Sequence, residues 1–182
     1  MSQQRDVGIR IREAKLTDAP ELAALMCELG YKTTRSEMRQ RVKSILNDAR
    51  YGTLVAEVGN EVCGMIGTMT HMSHEHNDLS GKIIALVVSK KQRRSGLGRA
   101  LIAAAEKDFA SRNITRVTLT TRFAREAAHR FYEALGYSKT GFRFAKTFAA
   151  TWLEANRHVT PSIRILPSAH RTSEPTISRT IL

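Results

Sequence analysis

The reading of this chain turns on one stretch, Ile83-Ile84-Ala85-Leu86-Val87-Val88-Ser89-Lys90-Lys91-Gln92-Arg93-Arg94-Ser95-Gly96-Leu97-Gly98-Arg99. Its first part, Lys82 to Ser89, is a near-continuous apolar run, the pattern of a strand covered on both faces. A basic loop, Lys90 to Ser95, follows. From Gly96 to about Ser111 the residues Leu97, Leu101, Ala104, Ala105 and Phe109 recur at helical spacing. The first turn of such a helix carries unpaired N–H groups and the positive end of the peptide dipole. Glycines there let an anion approach the backbone, and a pyrophosphate is the usual guest of such a cradle. Lys90, Lys91, Arg93, Arg94 and Arg99 add charge for a further phosphate.

A Gly-x-Gly spacing alone describes many ordinary turns. Two familiar phosphate motifs do not fit. A Walker loop ends in Gly-Lys-Ser/Thr, whereas Gly98 precedes Arg99-Ala100. A dinucleotide fingerprint has a third glycine where this chain has Leu101.

Outward from the loop, Ile9 to Ala14 reads as an opening strand. Asp18 and Glu21 have capping-box spacing and predict a helix start, with Leu22, Leu25, Met26 and Leu29 on its inner face and Gly30 as its stop. Thr34 and Glu37 repeat the box for a second helix bearing Met38, Val42, Ile45 and Leu46. Thr53–Val58 and Val62–Thr70 form a strand pair around Gly59-Asn60. His71 to Gly81 is polar and reads as a loop. After the central helix come a strand at Val117–Thr121, a helix at about Ala124–Leu135 stopped by Gly136, and a last strand pair within Tyr137–Phe148. Beyond Ala150 the pattern dissolves among Pro161, Pro167 and Pro175. Residues 1–150 are therefore read as one domain, and 151–182 as a flexible or loosely docked tail dispensable for cofactor binding.

The composition suits a globular protein of 182 residues, with 42% hydrophobic and 25% charged. No apolar run approaches a membrane span, and Met1 to Arg12 lacks the apolar stretch of a secretory signal. Cys27 and Cys63 have neither disulfide-framework nor Cys-x-x-Cys character. Both read as reduced core or near-core residues of a cytoplasmic protein. The net charge of +12 favours anionic partners. No basic strand interleaved with aromatics supports nucleic acid among them.

Arg93 to Gly98 resembles the Gln/Arg-x-x-Gly-x-Gly/Ala signature of the GNAT superfamily of N-acetyltransferases. Ala128-His129-Arg130-Phe131-Tyr132-Glu133-Ala134-Leu135-Gly136-Tyr137 is similar to that family's Ala-x-x-Phe-Tyr-x-x-x-Gly-Phe/Tyr helix end. The resemblance covers about residues 9 to 148. It implies an α/β fold with a mixed, mostly antiparallel central sheet flanked by helices, and a splayed strand pair that holds CoA. It implies that acetyl-CoA lies along Leu86, Val87 and Val88, with its pyrophosphate on Arg93, Arg94, Ser95, Gly96, Leu97, Gly98 and Arg99. Tyr132 matches the general acid that protonates the departing thiolate.

Two positions depart from the family pattern. Relatives often carry an acid where this chain has Ile84 and Ala85, so the general base is not assigned. Arg125 replaces a frequent asparagine and is read as either a phosphate ligand or a solvent-facing side chain. The acceptor is an amine, on a small molecule first and on a protein N-terminus or lysine second. A non-catalytic acetyl-CoA sensor and a homodimer stay open. Glu28, Tyr31 and Arg35 lie where relatives line the acceptor site. His71, His74 and His76 have no standard zinc spacing. They read as a solvated loop, with a substrate-side role for His71 or Glu75 as the second choice, and no metal is expected.

Overall fold

A computed structural model describes residues 8–148. The expected tail, with Trp152 and Leu153, lies outside them. One compact unit ends at Thr140 and a second begins at Gly141. Five strands form one sheet in the order β1-β2-β3-β4-β5. These are β1 (Ile9–Glu13), β2 (Tyr51–Val58), β3 (Glu61–Met72), β4 (Leu79–Val88) and β5 (Val117–Leu119). The first three pairings are antiparallel and β4–β5 is parallel. The helices are α1 (Ala19–Leu29), α2 (Arg35–Leu46), α3 (Leu97–Ser111) and α4 (Glu126–Glu133). The mixed, mostly antiparallel sheet flanked by helices is the architecture expected from the sequence. No helix among the described residues is long and apolar enough to cross a membrane.

Each sheet face has its own core. On one face Leu22, Leu25, Met38 and Val42 of α1 and α2 pack on Val55, Met65 and Val87. On the other Leu97, Leu101, Ile102, Ala105 and Phe109 of α3 pack on Ala56, Ile66 and Ile83. The two faces come from the period of two along each strand. Gly81 of β4 exists because of this packing. A Cβ there would meet the buried Phe109 ring at 2.9–3.1 Å. Gly81→Ala is expected to destabilise the fold by about 1–3 kcal/mol through overpacking, measured as a lower urea midpoint. An unchanged midpoint would show that α3 shifts freely.

Several local expectations are met and others corrected. Thr34 caps α2 as expected. Its Oγ1 accepts from the Glu37 N–H at 3.2 Å, and the Glu37 carboxylate accepts from the Thr34 N–H at 2.7 Å. Gly30 ends α1 in the left-handed region, φ 99°. Asp18 does not cap α1 through its side chain. Its carboxylate accepts from Arg12 at 2.7 and 2.9 Å and from the Lys15 N–H at 2.7 Å. A bidentate charge-assisted pair outcompetes a single cap bond. Arg12 also binds Glu57, and this contact holds both carboxyls below their ordinary pKa values. Cys63 is buried, but Cys27 is exposed and not a core residue. It faces the exposed side of α1, while Leu25 two residues earlier faces the core.

The polar stretch from His71 to Gly81 is strand at its two ends and loop, as expected, over residues 73–78. His71 and Met72 belong to β3 and pair with Ser80 and Leu79 of β4. Ladder bonds use the backbone, so polar side chains do not forbid them. The strand expected at Val117–Thr121 stops at Leu119, where its pairing with β4 stops. The last strand pair, within Tyr137–Phe148, is absent among the described residues. Phe142, Arg143 and Phe144 alternate as a strand would, but none of them is strand, and Phe144 is 94% exposed.

Candidate active site

The site begins at a bulge. Gly67 pairs Ala85 and Thr68 pairs Ile83, so Ile84 is an extra residue in β4. On the other side the β4–β5 pairing runs only through Gly81, Lys82 and Ile83. Among the described residues, the β5-side edge of β4 is therefore open from Ile84 to Val88. The Ser89 N–H donates to the Cys63 carbonyl at 2.8 Å. Alternation along the ladder then turns the backbone groups of Val88 and Leu86 toward the open edge. The side chains of Leu86 and Val88 pack on the α3 side, and Val87 is buried on the α1/α2 side.

The open edge runs into the start of α3. Arg94 and Gly96 both have positive φ, 66° and 87°. This winds the loop back on itself after the short turn Lys90–Gln92, which the Ser95 hydroxyl braces by donating to the Gln92 carbonyl at 2.6 Å. Gly96 is the N-cap, with no side-chain cap bond. The first intrahelical bond runs from the Ala100 N–H to the Gly96 carbonyl at 3.0 Å. The N–H groups of Leu97, Gly98 and Arg99 lie before it and have no intrahelical acceptor. Leu97 is buried and pins this end to the core, while Arg93, Arg94 and Arg99 are exposed around it. Gly98 brings α4 close, because a Cβ there would stand 3.4 Å from the Phe131 ring. The cofactor residues expected at Leu86 to Val88 and at Arg93 to Arg99 thus lie along one open edge and one helix start.

Two residues of the motif stretch act on the loop in ways that spacing does not show. Arg93 donates from Nε to the Val88 carbonyl at 3.3 Å. Glu28 accepts from the Lys90 N–H at 2.7 Å and lies 3.8 Å from the Arg93 guanidinium. Glu28 therefore ties the loop to α1. The Arg125 guanidinium donates to the Leu29 carbonyl at 2.6 Å, at the end of α1. Arg122 stacks over the Tyr31 ring at 5.5 Å. Together they fasten the β5–α4 connection to the α1–α2 connection.

Tyr132 sits on α4, with its ring edge-on to Phe131 at 5.3 Å and to Tyr137 at 5.9 Å. Burial pushes its hydroxyl pKa above the ordinary tyrosine value, and the Arg125 cation opposes part of that rise. The group is a neutral O–H donor at physiological pH. Neither Ile84 nor Ala85 is ionisable, so the bulge itself offers no carboxylate. Among the described residues no three His, Cys, Asp or Glu side chains gather to hold a metal.

An open sheet edge thus leads into a helix start with unpaired N–H groups, and a neutral tyrosine stands on the next helix. The chain belongs to the acetyltransferase (GNAT) family, whose sequence profile matches residues 19–137. It is 31% identical over 137 residues to an aminoalkylphosphonate N-acetyltransferase of Salmonella typhimurium, covering 75% of this chain and 89% of the relative. It is 28% identical over 122 residues to N-acetyltransferase 8 of Rattus norvegicus, covering 67% of this chain and 54% of that protein. Among solved structures, a GNAT family acetyltransferase of Staphylococcus aureus superposes with a TM-score of 0.67 at 26% identity, covering 77% of this chain and 98% of the other. The chain is an acyltransferase, and its relatives are N-acetyltransferases.

Proposed function

We propose that this enzyme moves the acetyl group of acetyl-CoA to the primary amine of a small molecule by direct attack. The observation that carries the reading is the open β4 edge, Ile84 to Val88, ending at the unpaired N–H groups of Leu97, Gly98 and Arg99. An amide-bearing pantetheine fits an unpaired strand edge as an added strand does. The pyrophosphate fits the helix start and its arginines. The likeness to a relative named for aminoalkylphosphonates supports a small acceptor.

The chemistry assigned to the chain is modest. Acetyl-CoA supplies an activated thioester. The amine lone pair attacks the carbonyl carbon, the N–C bond forms and the C–S bond breaks. Negative charge on the carbonyl oxygen is met by an N–H of the open edge. The Tyr132 hydroxyl gives its proton to the leaving sulfur. With Ile84 and Ala85 at the bulge, the acceptor reacts as its free base, loses its ammonium proton to solvent after attack, and Tyr132 takes a proton back from solvent.

The test is turnover of acetyl-CoA with a panel of primary amines, read by release of free thiol and by acetyl gain on the amine. The expected result is a rate that rises with pH through the acceptor's own pKa. Tight acetyl-CoA binding without any consumption of amine would make the protein a sensor. Acetylation confined to peptide N-termini or lysines would replace the small-molecule acceptor with a protein.

A further inference from the structure

On the α1/α2 face of the sheet, chemistry changes at the bulge. Beyond it Ala85 and Val87 join the apolar cluster under α1 and α2. Before it the β4 side chains on that face are Lys82 and Ser80, because Gly81 and Ile83 point at α3. Register extends both positions into rows across three strands. Ser80 pairs His71 of β3. The Gly81 N–H donates to the Arg116 carbonyl at 2.8 Å, and Gly81 pairs Val117, which sets Arg116 beside Ser80. The next row is Met69, Lys82 and Thr118. None of these six residues belongs to either apolar cluster.

Two nitrogens in the first row lack partners. His71 Nδ1 and Arg116 Nε are buried with no hydrogen-bond partner among the described residues. The other end of the Arg116 guanidinium is paired with Asp78. An unmet buried donor costs the desolvation of that group, so orphaned atoms are rare and call for an explanation. Here both lie in a single cross-strand row, on a face that also presents Lys82. A ligand oxyanion would accept from Arg116 Nε–H and from His71 in the tautomer that carries its hydrogen on Nδ1.

Resting on the acetyl-transfer reading above, we propose that His71, Ser80, Lys82 and Arg116 form an acceptor subsite for an anionic group, a carboxylate or a phosphonate, carried by the amine. At about 3.3 Å of rise per residue, Lys82 lies about 7 Å from the bulge and the His71–Arg116 row about 13 Å. The amine then meets the thioester at the bulge while its anionic end is held down the strand. Lys82 serves short acceptors, and the His71–Arg116 row serves longer ones.

The test compares 4-aminobutyrate with n-butylamine and 3-aminopropylphosphonate with n-propylamine, using the full chain. The expected preference for the anionic member of each pair is about ten- to a hundredfold in kcat/KM, the range of a hydrogen bond to a charged group. Lys82→Met is expected to reduce that preference in these short pairs, and Arg116→Gln to reduce the matching preference for 8-aminooctanoate over n-octylamine, each through KM for the anionic amine with acetyl-CoA affinity held. Arg116→Lys, which keeps the charge but loses Nε, is expected to restore part of it. A second readout is independent of turnover and of any variant. Methylphosphonate or acetate is titrated into the acetyl-CoA-loaded protein while the His71 ring resonances are followed. A saturable shift supports the subsite, and the stronger anion identifies which group it takes. Equal rates for anionic and neutral amines, with no His71 response, would overturn it and leave the row filled by ordered water. A His71 response with no amine acetylated would retain the subsite and refute the transfer reading instead.

Discussion

Gly96→Glu is expected to abolish acetyl-CoA binding while the fold survives. Gly96 has φ 87°, and an added Cβ would meet nothing within 4 Å. The protein has room for a side chain, so steric clash within the chain is not the cause. Two costs remain. A residue with a Cβ pays about 1–2 kcal/mol in the left-handed region. The new carboxylate also stands at the mouth of the cradle formed by Leu97, Gly98 and Arg99, against an incoming pyrophosphate. Like charge set directly against the bound pyrophosphate costs several kcal/mol, so affinity should fall by about two to three powers of ten or more. Gly96→Ala separates the terms, since it keeps the backbone strain and lacks the charge. Its expected loss is the strain alone. Calorimetric affinities within twofold of one another for the wild type and Gly96→Glu would remove the pyrophosphate from this loop.

Tyr132→Phe is expected to lower kcat by about two to four powers of ten with little change in acetyl-CoA affinity. The ring contacts with Phe131 and Tyr137 do not involve the hydroxyl, so phenylalanine keeps the packing. The O–H is needed only as the C–S bond breaks, which places the loss in the rate and not in binding. The pH profile gives a second check. An acid must be protonated to act, and burial raises its pKa above the ordinary tyrosine value of 10. The alkaline fall in kcat should therefore lie above that value. Arg125 lowers the Tyr132 pKa, so Arg125→Met should move the alkaline limb further up. A Tyr132→Phe enzyme with wild-type kcat would reduce this residue to packing.

The sequence by itself determined the parts whose chemistry is local. The apolar run ending at Val88, the loop Arg93 to Gly98 and the periodic face of Leu97, Leu101 and Phe109 follow each other directly, so strand, turn and helix were legible from spacing. Thr34 and Glu37 were legible for the same reason, since a cap is made within one turn. Acyl transfer followed from the resemblance of two motifs in the right order. The tertiary structure decided what depends on neighbours distant in the chain. Asp18 had the spacing of a cap but is bound by Arg12, six residues earlier and on another element. Glu28 read only as a position near the acceptor site, and the fold also makes it the anchor of Lys90, sixty-two positions away. His71 read as part of a loop because polarity hides a strand whose ladder is made by backbone alone. The bulge at Ile84 has no sequence signal of its own, because it is a property of register between β3 and β4. It opens the strand edge, and it divides the apolar face from the row of His71, Ser80 and Arg116, since one extra residue reverses which side chains share a side of the sheet.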